Sequence, residues 1–339
     1  MPGHADEELM RAAWYEKNGT AKDVLHVGEM DTPKPGPGEV RIKLKTSGVN
    51  PSDVKNRAGL TRKIAFPRVI PHSDGAGEID AVGEGVAPAR VGERVWTWNA
   101  QWKRPFGTAA EYVVLPENQA VKLPAAISDE AGACLGIPAL TAWRAVELAE
   151  AAAGRTLLVS GGAGAVAHYA IQFAKARGAV VIATVSSTAK AKLAREAGAD
   201  HTIDYKTENV GERVAAITGK AVGAGGGADA IIELDITANA ALLPQVLRPR
   251  GKVVIYGTGP QAQLPASFCL VNTISLLFFL VYELSPEERR RAVDGITRML
   301  EANALKHNIG ATFPFGEIVA AHEAQESGRV TGNIVLTFG

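Results

Sequence analysis

The chain has 339 residues, with 36 Lys plus Arg against 36 Asp plus Glu, 46% apolar and 21% charged residues, and a formal net charge of zero. That length, about twice a typical domain of ~150 residues, excludes a small binding module, and the composition excludes a disordered chain. Charge balance removes the whole-protein field of a non-specific polyanion binder, so nucleic acid is not expected as a partner. Two cysteines, Cys134 and Cys269, exclude a disulfide framework.

The N-terminal MPGHADEELM is polar and acidic and lacks the apolar core of a signal peptide. From residue 11 to about 124, short runs of β-type composition at 40–44, 77–82, 94–98 and 110–114 lie among turn signals such as TPKPGPGE and VGEGVAPARVGE. Within them, GVNPSD places Asn50 and Asp53 in a turn after an apolar strand. Asp53 reads as a turn or helix cap, whereas Asn50 is able to bond a cofactor hydroxyl or hold a water. Residues 125–153 turn helical, with Ser128 as a weak cap and an apolar periodic run after Pro138 that closes at Gly154, and the domain boundary is placed here.

A β/α alternation follows: strand 156–160, turn 161–164, helix 165–177, strand 180–185, helix 190–197 and strand 201–203. Further on come strand 230–234, helix 240–247 and strand 252–256. Near-continuous apolar strands joined by helices indicate a parallel sheet covered on both faces, hence an α/β fold with a nucleotide-type crevice at the strand ends. The most apolar later stretch, 270–282, is short and interrupted by Asn272, Thr273 and Ser275, so no membrane span is expected and the cytoplasm is the expected compartment. The tail reads as helix 286–304, strand 309–312, helix 316–326 and strand 333–338. Its residues alone leave open whether it is a third unit or rejoins the first.

The strongest local signal is TLLVSGGAGAVAHYAIQFAKARGA, where Gly162, Gly164 and Ala167 supply a G-x-G-x-x-A spacing between strand and helix. A tight turn there lets the N–H groups at the helix start face a pyrophosphate. The next strand, VVIATVSSTAK, ends without the Asp or Glu that binds a free ribose diol. Ser186, Ser187 and Lys190 instead offer hydroxyls and a cation, which suits a 2′-phosphate and argues for NADPH over NADH. Tyr205, just past the third strand, is a candidate to flank the adenosine end.

Metal chemistry finds no ligand set: there is no CxxC or HExxH, and the seven histidines are scattered. His72 beside Asp74 reads as a satisfied turn histidine. Nor is there a GxSxG elbow for serine hydrolase chemistry. Hydride transfer mainly requires donor and acceptor to be held face to face in a dry pocket, so the lack of an obvious acid/base pair is compatible with a reductase.

Taken together, GVNPSDVKNRAG, VIPHSDGAGEIDAVGEGV, VGERVW, GTAAEYVVLP, CLGIPALTAWRAV, VSGGAGAVAHYAIQFAKARGA, SSTAKAKLAREAGADHTIDYK, GKVVIYGTG and HNIGATFPFGEIVAAHEAQESGRVTGNIVLTF run in order over nearly the whole chain. They resemble the quinone oxidoreductase, zeta-crystallin-like branch of the medium-chain dehydrogenase/reductase family. The resemblance implies a Rossmann-type NADPH-binding domain, 128–272, inserted into a GroES-like β-rich catalytic domain, 1–127, which the segment 273–339 completes. It also implies a homodimer, and hydride transfer from NADPH to a quinone or other electron-poor enone in an interdomain cleft without metal. Zinc-dependent relatives carry a catalytic Cys and a Gly-His-Glu motif; the matching places here hold Asn50 and Ser73-Asp74, with His72 one position early.

By the same resemblance, Asn50 contacts the nicotinamide ribose region and Thr141 the cofactor near its phosphate or nicotinamide. Gly164, Ala165 and Val166 lie along the pyrophosphate, with Ser186, Lys190 and Tyr205 around the 2′-phosphate. Gly257 and Thr258 border the nicotinamide, Phe279 and Val281 line the cleft, and Asn333 approaches the nicotinamide end. Lys55 departs from the tyrosine that many members carry; it either favours an anionic or carbonyl-bearing acceptor or points to solvent. The functional expectation is an NADPH:quinone oxidoreductase. The alternatives are a zinc-free reductase of α,β-unsaturated aldehydes or ketones and a non-catalytic, crystallin-like NADPH- or RNA-binding protein.

Overall fold

The computed structural model describes residues 9–339, and the polar N-terminal stretch up to Glu8 lies outside the described residues. Two compact units are present, one running to Ile137 and including Thr297–Gly339, the other spanning Pro138–Ile296.

The first unit is built on a mostly antiparallel sheet around the long strand Glu39–Val49. Alternation along its first half buries Val40, Ile42 and Leu44 on one face, where they cluster with Ile79, Val95, Val113 and Leu115. Each such burial contributes about 1.5–3 kcal/mol. The strand Asp74–Val82 pairs antiparallel along one side. Along the other lies the C-terminal strand Asn333–Thr337, with Ile334 opposite Val49 and Thr337 opposite Thr46. The strand Ile309–Pro314 extends this edge in parallel. Ile334 and Leu336 thereby enter a second core cluster with Met10, Val54, Ile70 and Phe315. The tail therefore belongs to the same sheet as the first strands, which answers the question its residues alone leave open.

The second unit is a six-stranded sheet in which every pairing is parallel. Its strands are Thr156–Val159, Val180–Val185, His201–Asp204, Ala228–Glu233, Leu247–Ile255 and Ser275–Phe278. The spatial order is third, second, first, fourth, fifth, sixth. The first and fourth strands are neighbours, so the chain reverses direction across the sheet there, and crevices at such reversals bind ligands beyond the carboxyl ends of the strands. Leu157, Leu158 and Val159 are almost wholly buried, as a two-faced sheet demands.

Three differences from the sequence reading have physical causes. The sixth strand was not expected, because Ser275 and Phe278 are exposed at a sheet edge and the run carries no clean alternation. It pairs with the fifth strand from Lys252 opposite Ser275 to Ile255 opposite Phe278, so the second unit continues past residue 272 to Ile296. Residues 240–247 are not one helix but a 3₁₀ turn Ala240–Leu242 and a short helix Leu243–Val246 with Pro244 in its first turn, and Leu247 already belongs to a strand. Proline lacks the N–H that a helix interior needs and restarts the helix at its own position. The strand expected at 110–114 lies at Tyr112–Pro116. Among the described residues, no helix is long and apolar enough to cross a membrane.

Candidate functional site

In the second unit the first strand ends in a turn that only glycine fits. Gly161 has φ +66°, and a Cβ on Gly162 would lie 2.6 Å from the Ala183 Cβ and 3.2 Å from that of Ala194. Both neighbours are fixed to backbone, so the turn packs directly on the second strand and its helix. The Gly161 N–H donates to Thr184 Oγ1 at 3.1 Å and the Gly162 N–H to the Thr184 carbonyl at 2.8 Å. Gly164 then caps the helix Ala165–Ala176 without a side chain, so nothing from the cap satisfies the first-turn N–H groups of Ala165 and Val166. Those groups, half-buried at the positive end of the helix dipole, form an anion-binding arrangement. Gly162→Val is expected to displace this turn and raise the cofactor Kd at least tenfold, which equilibrium titration with NADPH measures; an unchanged Kd would show that the turn tolerates a side chain.

Sequence reasoning missed what anchors the turn. Ser160 donates to Glu233 Oε2 at 2.7 Å, with both side chains nearly fully buried. The other oxygen of Glu233 accepts from the Asp235 N–H at 2.7 Å and Asn239 Nδ2 at 2.8 Å. This carboxyl ties the ends of the first and fourth strands together at the reversal. A glutamate ending an apolar strand was the available signal.

At the end of the second strand, Ser187 caps the helix Thr188–Glu196 by accepting the Lys190 N–H at 3.3 Å. The Lys190 ammonium bonds Ser186 Oγ at 3.1 Å. Tyr205 follows Asp204, which pairs with Val185, and is half-exposed just past the end of the third strand. Of the three proposed 2′-phosphate residues the structure joins Lys190 and Ser186 directly, and no carboxylate lies between Val185 and Lys190 in the sequence.

The other expected contacts are placed less uniformly. Gly257 follows the fifth strand, where a Cβ would meet the Leu234 carbonyl, and Thr258 Oγ1 lies 3.2 Å from Thr237 Oγ1. Phe279 is half-buried beyond the sixth strand. Thr141 and Val281, in contrast, are 4% and 5% exposed, and the Val281 carbonyl accepts from Arg289 at 2.7 Å. In the first unit, Asn333 Nδ2 donates to the Asn308 carbonyl at 2.9 Å, so its amide holds a loop. Lys55 is exposed on the helix Pro51–Ala58.

Asn50 is the N-cap of that helix and 4% exposed. Its backbone N–H donates to Asp53 Oδ2 at 2.7 Å. Burial pushes the Asp53 carboxyl up to about 7, against the lowering effect of the Asn50 hydrogen bonds. The Asn50 side chain donates through Nδ2 to Asp74 Oδ2 at 2.8 Å, and the same oxygen accepts the Ile137 N–H at 2.9 Å. Asp74 thus sets the orientation of the Asn50 carboxamide. A Cβ on Gly136 would collide with Asp74 Oδ1, which explains the glycine at the next loop.

His72 is wholly buried at φ +76° and forms part of a polar chain. Thr108 donates to the Asp74 carbonyl at 2.6 Å, and Ser47 Oγ lies 2.8 Å from Thr108 Oγ1 and 2.9 Å from His72 Nδ1. His72 Nε2 faces His322 Nε2 at 2.9 Å. With the Thr108 proton committed to the carbonyl, Ser47 must donate to Thr108. His72 then donates from Nδ1, and His322 donates from Nε2, leaving its Nδ1 lone pair buried without a partner among the described residues. Burial lowers His72 to about 3 and His322 well below its ordinary value, so both rings are neutral.

These residues do not fit a zinc ion. Both His72 nitrogens are engaged, Asp74 Oδ2 holds two N–H groups, and among the described residues no three Cys, His, Asp or Glu side chains cluster as ligands.

The alcohol dehydrogenase GroES-like domain family matches residues 36–125 and the zinc-binding dehydrogenase family residues 165–298. A quinone oxidoreductase of Pseudomonas aeruginosa is 34% identical, over 93% of this chain and 95% of its own. Among solved structures, an NAD-dependent alcohol dehydrogenase superposes with a TM-score of 0.87 at 30% identity, covering 97% of this chain and 100% of the other. A mycobacterial protein in complex with NADPH gives 0.84 at 27% identity, with 97% and 99% coverage. Parallel-sheet order, glycine turn and near-full-length similarity agree, and the chain belongs to the quinone oxidoreductase group of the medium-chain dehydrogenase/reductase family.

Proposed function

We propose that this oxidoreductase transfers a hydride from NADPH to a quinone without a metal ion. The observation that carries the cofactor choice is the Lys190–Ser186 pair at the end of the second strand, with no Asp or Glu between Val185 and Lys190 in the sequence. The quinone class rests on the activity named for the Pseudomonas aeruginosa relative. Bound NADPH supplies the hydride. The N–H groups of Ala165 and Val166 hold the diphosphate, Ser186 and Lys190 the 2′-phosphate, and Tyr205 flanks the adenosine. Asn50, with its Nδ2 fixed by Asp74, presents its carboxamide oxygen as an acceptor for a ribose hydroxyl.

Lys190→Ala is expected to raise KM for NADPH about tenfold, the equivalent of ~1.4 kcal/mol, and KM for NADH less than twofold. Steady-state kinetics with both cofactors, against a panel of quinones and enals with and without chelator, measures this. Equal changes for the two cofactors would defeat the NADPH assignment, and loss of turnover on chelation would defeat the metal-free one. The homodimer implied by the family is also proposed. Its support is an unpaired edge strand, Ser275–Phe278, with Phe278 60% and the nearby Leu270 82% exposed.

A further inference from the structure

A cavity of about 240 Å³ lies within the first unit, and no carboxylate is among the described residues that line it. Ile64, Phe66 and Val69 give it apolar wall, while Arg62, Lys63 and Lys103 bring three cations from two separate loops. The Arg62 guanidinium lies over the Trp102 ring at 4.1 Å and the Lys103 ammonium approaches the same ring at 5.5 Å, so both charges gather on one indole. Neither Arg62 nor Lys63 forms an ion pair with a described residue. The nearby Glu16 is engaged by Arg68 at 2.7 Å. Like charges gathered in a concave, partly apolar wall raise the local potential and favour an anion.

Tyr15 supplies an independent pointer. It is 4% exposed, lines the cavity, and its hydroxyl hydrogen-bonds to no described residue. Burial first, and the Asp53 carboxyl second, push this phenol up to about 12, against the lowering effect of Arg62 and Arg57. It therefore stays an O–H donor at neutral pH. A donor hydroxyl, the Arg62 and Lys63 cations and apolar wall match one chemistry, an organic acid. In size, a cavity of ~150 Å³ holds a benzene ring, so this one takes about one ring with its carboxylate.

The cavity also reaches the helix that Asn50 caps. Asn56 lines it, six residues on from Asn50, about 9 Å along the helix axis. We propose that this cavity binds the carboxylate of a compact apolar acid and, resting on the reductase reading above, that the physiological acceptor carries such an acid group.

Two measurements separate the site from the reaction. Calorimetric titration with 3-phenylpropanoate and its methyl ester reads the cavity without turnover. Binding of the acid at least tenfold tighter than the ester, weakened about tenfold in the double variant Arg62→Ala/Lys63→Ala and about threefold in Tyr15→Phe, supports the site. Equal binding of acid and ester, or no effect of the variants, overturns it. The second measurement compares kcat/KM for a 2-methyl-1,4-naphthoquinone bearing a 3-propionate with that for its methyl ester. An acid-to-ester ratio above ten that falls about tenfold in the double variant supports the acceptor assignment, and a ratio near one overturns it. Reduction of neither compound, beside intact binding of the acid, overturns the acceptor assignment and counts against the quinone reductase reading while leaving the anion site standing.

Discussion

Stability of the protein is expected to fall by about 2–3 kcal/mol per pH unit as the pH drops from 6 to 5, a slope set by buried groups of the first unit. His72, lowered to about 3, His322, lowered well below 6.5, and His307, lowered to about 4, all stay neutral in the folded chain through this window, because burial penalises the imidazolium. In the unfolded chain each titrates near pH 6.5 and binds a proton. Their contribution is thus present above that value and lost as pH falls toward the folded values. Asp53 acts with the opposite sign. Raised to about 7, it takes up its proton on folding anywhere between about 7 and its unfolded value of 3.8. Three protons favour the unfolded state and one the folded, a net of about two, each worth ~1.4 kcal/mol per pH unit. Against a typical total of ~5–15 kcal/mol, that loss brings unfolding close by pH 4.5. Urea unfolding at half-unit steps between pH 7.5 and 4.5 measures the slope. His322→Leu should cost about 1–3 kcal/mol at pH 7.5, since it strips His72 Nε2 of its donor, yet flatten the slope by about half. A wild-type slope of zero or opposite sign would remove the neutral-pair assignment.

The parts legible in the sequence share a property: each is a local pattern whose physics is complete within one strand–turn–helix unit. The glycine turn at 161–164, the strand Val180–Val185 and the Ser186–Lys190 pairing need only residues that are near neighbours along the chain. Ser128 is a similar case, its side chain accepting the Ala131 N–H at 3.2 Å as the cap expected there. What escaped is built from long-range partners. Ser160 and Glu233 are 73 positions apart, and His72 and His322 are 250 apart. No spacing rule links such residues until the strands pair. The sixth strand escaped for a different reason. Edge position leaves Ser275 and Phe278 outside the core, so hydrophobic alternation, the property that sequence pattern reads, is absent. The place of Asn333 near the nicotinamide rests on resemblance alone; in the structure its amide donates to the Asn308 carbonyl.

Asp74→Ala is expected to cause the largest single loss of activity outside the cofactor turn, although in the sequence Asp74 is only the neighbour of a turn histidine. Its Oδ2 receives Asn50 Nδ2 at 2.8 Å and the Ile137 N–H at 2.9 Å, all in fully buried surroundings. Removing the acceptor strands two donors where no water shell replaces it. Each stranded group costs about 1–3 kcal/mol, so a stability loss of roughly 2–6 kcal/mol is expected. The carboxamide of Asn50 also loses the bond that selects its rotamer, and under the proposed contact of Asn50 with the cofactor ribose such a misorientation costs on the order of 100-fold in rate. Asp74→Asn separates the two effects. Its amide oxygen replaces Oδ2 as acceptor for both N–H groups at nearly the same volume, so Asn50 keeps its orientation and most activity survives. If Asp74 instead serves only the packing of the loop around Gly136, Asp74→Ala lowers Tm while kcat/KM of the remaining folded enzyme, measured well below that Tm, matches wild type. The positioning role predicts that kcat falls at every temperature at which the variant is folded, and that the asparagine variant restores it.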